Sequence, residues 1–190
     1  MKRPFLAPVL AVTALASAQA AHAQQACVAP EDAADAVIYA MPAAYEATVK
    51  KCGEEFGGES FLQSADGLNF IQQFRTQQDK RWDGTSRFLK VFIAAQAEGD
   101  NQGAGEMIAS MPAESLRPFV DGIMGQLIAE QIKTDSCGKI DRGAELLSPL
   151  PADNVSGLVA FIVELVDLDN PPVCKTGGTV TVGSEAMDSE

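Results

Sequence analysis

The chain has 190 residues, with 14 Lys and Arg against 26 Asp and Glu, a net charge of −12 at neutral pH and a single histidine. So acidic a balance repels phosphate backbones and argues against a general nucleic-acid role. The histidine, His22, sits in a leader-like segment; without it, Ser-His-Asp triads, Cys-His dyads, His-ligated zinc sites and imidazole proton shuttles are closed to the rest of the chain.

Met1-Lys2-Arg3 make a positive start, an apolar run follows from Phe5 to Ala16, and Ala21-His22-Ala23 supplies a small-x-small cleavage pattern before Gln24. Residues 1–23 therefore read as a secretory signal, and its removal leaves 167 of the 190 residues, with a charge of −14 once Lys2 and Arg3 are gone. The apolar run is too short for a good membrane span, so the mature chain is expected to have no transmembrane segment and to reside in the periplasm or outside the cell. Residues 24–174 are read as one helical domain and 175–190 as a flexible tail of Gly, Thr, Ser and acids.

Cys27, Cys52, Cys137 and Cys174 all follow the leader, and an even count in an exported chain predicts two disulfides. Three connectivities exist. Neighbour pairing, Cys27 with Cys52 and Cys137 with Cys174, is favoured because each bridge would clasp a local helical hairpin.

In chain order, Val37, Met41, Tyr45, Thr48 and Cys52 share one helical face over residues 31–52, with Pro42 expected to kink or split the segment and turn Cys27 back toward Cys52. A glycine-rich loop follows, and a second helix is predicted from about Asp66 to Trp82. Asp83-Gly84 reads as a break, after which Phe88, Val91, Phe92 and Ala95 repeat at helical spacing to Glu98. Glu98 to Gly103 reads as a linker. Leu116, Val120, Ile123, Leu127 and Ile132 form the longest stripe, and Gly122 and Gly125 could admit a neighbouring helix closely. After Cys137 come a short helix from Ile140 to Leu147 and a segment from Val155 to Val166, apolar on almost every side and so expected mid-core, with Asp153 or Asn154 as its cap. Met41-Pro42-Ala43, Met111-Pro112-Ala113 and Leu150-Pro151-Ala152 each place proline where a helix could begin. Cys52-Gly53 and Cys137-Gly138 look like helix ends. Only the tail alternates like a strand, at Thr179 to Val182. The predicted fold is all-α: a compact bundle of five to seven helices stapled by two disulfides.

Chemical motifs are weak. Ser136-x-x-Lys139 with Lys175-Thr176-Gly177 resembles two elements of the serine β-lactamase and penicillin-binding family, but the short span between them and the lack of a sheet make it a chance match. Glu54, Glu55 and Glu59, or Asp79 and Asp83 beside Trp82, are carboxylates a hydrolase could pair. Glu98-x-Asp100-x-Gln102-Gly103 opens like a calcium loop yet has Ala109 in place of the bidentate glutamate, and Asp167-Leu168-Asp169-Asn170 reads as a helix exit. No cofactor or metal is implied. The sharper feature is a basic stretch: Arg75, Lys80, Arg81, Arg87 and Lys90 fall within sixteen positions that contain only Asp79 and Asp83 as acids, a local +3 around the sole tryptophan, Trp82. That patch suits an anionic small ligand or a partner contact; the competing expectation is that Trp82 plugs the core while the cations pair with the chain's own acids.

These features predict a non-catalytic exported protein-interaction or ligand-binding domain offering acidic surface to a cationic protein partner. A small cell-envelope hydrolase built on paired carboxylates and a structural or assembly subunit are the alternatives.

Overall fold

In a computed structural model, residues 27–58, 60–96, 102–166 and 170–174 are described. The leader and the tail after Cys174 lie outside them, as do Glu59, Glu98, Asp100, Asp167 and Asp169. The described residues form seven α-helices: α1 Pro30–Cys52, α2 Ala65–Arg75, α3 Trp82–Gln96, α4 Gln102–Ser110, α5 Ala113–Gln131, α6 Cys137–Leu147 and α7 Ala152–Leu165. Single 3-10 turns precede α2, α3 and α6. The fold is all-α, stapled by two disulfides.

Helix α1 is the axis of the molecule, and α2, α3, α5 and α7 all pack on it. Its sequence suits its length: Pro30 stands in the first turn with Glu31 and Asp32, and Lys50 and Lys51 close the last turn, matching the macrodipole at both ends. The helix does not split at Pro42, which is buried within it. Proline removes the N–H that would bond the carbonyl of Ile38 and crowds the turn before it. At the adjacent carbonyl, Tyr39 O, the Gln78 side-chain amide donates at 2.9 Å, a bond supplied from outside the helix.

That unbroken rod overturns the expected cysteine pairing. Twenty-three helical residues span about 34 Å, whereas bridged cysteines need Cα atoms roughly 4.4–6.8 Å apart. Cys27 instead joins Cys174, with Cα atoms 5.0 Å apart, and Cys52 joins Cys137, at 5.6 Å. Beside the first bridge, Val28 N donates to Pro172 O at 2.8 Å and Cys174 N donates to Val28 O at 2.9 Å, a two-bond clasp of the two ends of the described chain. The second bridge pins the end of α1 to the start of α6, so Cys137-Gly138 opens a helix rather than closing one.

Further expectations change. Asp83-Gly84 is not a break: α3 begins at Trp82 and runs through it. A Cβ on Gly84 would lie 2.1 Å from Asp35 Oδ2, so glycine there is what lets α3 approach α1. Gly122 and Gly125 have no close neighbour among the described residues and admit no described helix. The linker expected from Glu98 to Gly103 gives way at Gln102, where α4 begins. Of the three proline motifs, Pro112 and Pro151 are the N-caps of α5 and α7, and Pro42 is helix interior. Pro151, not Asp153 or Asn154, holds the cap position of α7.

The core has three parts. The largest gathers Ile38, Tyr45, Leu62, Phe70, Ile71, Phe74, Ala152 and Val155 between α1, α2 and α7, with α6 packed against it. A second joins Tyr39, Trp82, Leu116 and Val120, and a third Val28, Ala33 and Ala160. Asp141 of α6 organises the turn before α2, accepting from Ser60 Oγ at 2.7 Å, Leu62 N at 2.9 Å and Phe61 N at 3.2 Å. Among the described residues, no helix is long and apolar enough to cross a membrane.

Candidate functional site

Helix α7 was expected in the middle of the core. It buries only Ala152, Val155, Ser156 and Ala160 and leaves Leu158, Phe161, Ile162 and Leu165 exposed, with Val166 at its C-cap exposed as well. The long stripe on α5 behaves likewise: Leu116 and Val120 are buried, while Phe119, Ile123 and Leu127 are exposed. The apolar periodicity in both helices is real, but much of it faces away from the core.

Part of that surface encloses a groove of about 550 Å3. Its floor is α1, through Ala33, Ala36, Val37 and Ala40. One wall is α3, through Thr85, Phe88, Leu89, Phe92 and Ile93. A second is α5, from Phe119 to Ile128, and Val159 and Val163 of α7 close the remaining side. Every described lining side chain is apolar except Thr85, whose hydroxyl donates to Arg81 O at 2.7 Å and is thereby satisfied. Phe88 and Phe92 stack at 5.9 Å between centroids and stiffen the α3 wall. Three of the four floor residues are alanine, whose short side chains leave the gap between α5 and α7 unfilled from beneath. A concave apolar site of this size falls within the roughly 300–1,000 Å3 range of small-molecule pockets.

A second, polar cleft of about 390 Å3 adjoins it. Tyr39, Pro42, Ala43 and Glu46 of α1, Arg75, Gln78, and Arg117, Asp121 and Met124 of α5 line it, and Met124 also lines the groove. Here the Tyr39 hydroxyl donates to Asp121 Oδ1 at 2.5 Å and accepts from Arg117 Nε at 3.2 Å. Burial, then the bond to Asp121, pushes the Tyr39 phenol up to about 12, with Arg117 pulling the other way. The Arg117 guanidinium also donates to Asp79 and lies over the rings of Tyr39 and Trp82, 5.7 and 5.8 Å from their centroids.

The basic stretch singled out in the sequence does not assemble into one patch. Trp82 is buried against Tyr39, with ring centroids 5.0 Å apart, and its Nε1 has no hydrogen-bond partner among the described residues. Arg75 pairs with Glu46, Arg81 with Asp35 and Asp153, and Arg87 with Asp32 through both Nε and Nη2. Lys80 is exposed and Lys90 half-buried. The local positive charge is thus spent largely on the chain's own acids, tying α3 and the turn before it to α1 and α7.

Several carboxylates are also engaged, while Glu55 and Asp66 line two further clefts. Asp141 holds the turn described above and Glu145 accepts from Arg142 at 2.7 Å; Asp79 takes Arg117. Among the described residues no group of three or more Asp, Glu, Cys or His could hold a metal ion. Sequence reasoning marked the α5 stripe but missed the groove, because nothing in the order of residues says which apolar positions remain uncovered. It also missed Tyr39, Arg117 and Asp121, which meet across about 80 positions of chain.

Comparison with protein-family models, with curated proteins and with solved structures finds no match to this chain.

Proposed function

We propose that this chain is an exported, non-catalytic ligand-binding protein that holds an apolar chain in the groove between α1, α3, α5 and α7. The observation carrying this reading is the uninterrupted apolar lining of a concave site walled by four helices, a surface that gains free energy only by leaving water. Export is supported by the leader pattern and by two disulfides with no free cysteine among the described residues. The net charge of −12 would also suit a cationic partner, but the groove is the more specific feature.

Each buried methylene contributes about 0.8 kcal/mol, so affinity for straight-chain alkyl ligands is expected to rise about fourfold per methylene until the groove is full. Displacement of the neutral dye Nile red by 1-alkanols of increasing length measures this. Affinity independent of chain length would contradict the reading.

A further inference from the structure

We infer that the ligand is a single-chain amphiphile with a zwitterionic head, a phosphate carrying an amine, whose head lies in the polar cleft next to the groove. This rests on the groove's role as the site of an apolar chain. The two sites share Met124 and draw on neighbouring residues of the same two helices. On α1, Ala40 faces the groove while its neighbour Tyr39, and Ala43 one turn on, line the cleft. On α5, Val120 serves the groove, Arg117 and Asp121 the cleft, and Met124 both.

The cleft holds two guanidiniums, Arg75 and Arg117, and two carboxylates, Glu46 and Asp121, all partly exposed and all engaged within the chain, so a head group there exchanges partners with existing pairs. Arg117 is preorganised by Tyr39, Asp79 and the aromatic rings beneath it, and Arg75 holds Glu46 through Nη2 alone, at 2.8 Å. A purely anionic head would meet both carboxylates and a chain of net charge −12. A purely cationic one would meet both guanidiniums. A head bearing both signs sets phosphate against arginine and amine against carboxylate, and phosphate suits the guanidinium fork. At about 550 Å3 the groove lies within the range of sites that hold one small apolar ligand, which suits a single acyl chain.

The test is displacement of Nile red from the oxidised mature protein by three ligands with the same acyl chain, each below its micelle threshold: a lysophosphatidylcholine, the free fatty acid and the monoacylglycerol. The lysophospholipid is expected to bind at least about tenfold more tightly than either of the others. In Arg75→Gln and Glu46→Gln, two exposed changes outside the core, its preference over the monoacylglycerol should fall toward one. Equal affinity for all three ligands overturns the head-group assignment and leaves the groove standing. A preference for the fatty acid overturns it in favour of a simple anion, and displacement by none of them overturns the groove reading itself.

Discussion

Tyr39 joins the core to the polar cleft in one side chain. Its ring packs on Trp82 while its hydroxyl bridges Asp121 and Arg117. Because the folded phenol is held neutral to about pH 12 and an unfolded tyrosine ionises near 10, its contribution is fully present below pH 10. That contribution, up to about 3 kcal/mol, is lost as pH climbs through 12. Tyr45, buried and donating to Leu62 O, is shifted the same way. Urea unfolding between pH 9 and 11.5 should therefore show falling stability, with a shallower fall in Tyr39→Phe; parallel profiles would remove Tyr39 from the account. None of this was legible beforehand, since a tyrosine on an amphipathic stripe looks like any other core residue. Gly84 was equally misread: glycine beside aspartate suggests a turn, and only the 2.1 Å approach to Asp35 shows it accommodating a neighbouring helix.

Among the elements, α1 decides most. Once it runs through Pro42, local hairpin bridges become geometrically closed, and the cysteines pair across 147 and 85 positions. Long loops of this kind restrict the unfolded chain by about 5 kcal/mol each in the entropy model. Replacing Cys52 and Cys137 together by serine is expected to lower stability by a large part of that, read from the denaturant midpoint; an unchanged midpoint would show that packing alone holds α6. Apolar spacing made α3 and α5 legible, and α6 and α7 lie close to where helices were expected, but the helix expected from Asp66 to Trp82 ends at Arg75, with a 3-10 turn before α3. Helix α4 was not legible, because its Gly-rich opening carries no stripe. The placement of α7 failed for a physical reason: apolar residues all round a helix mark it as shielded from water in the functional state, but do not say whether this chain or another molecule does the shielding.

At the scale of the whole molecule, composition and patterning sufficed for the fold class and the four bridging cysteines. The basic stretch was visible but not its partners: its arginines meet acids 29 to 72 positions away. The groove arises only from the assembled bundle, where α5 and α7 stand apart over an alanine floor. That floor allows the most direct test. Ala40→Phe puts a ring into the groove from beneath without touching the polar cleft's charges. Titrated with Nile red beside the wild type, the variant should bind at least about tenfold more weakly while its thermal midpoint holds or rises, since apolar surface is covered. Undiminished dye binding in a folded Ala40→Phe protein would contradict the claim that this groove is where the ligand goes.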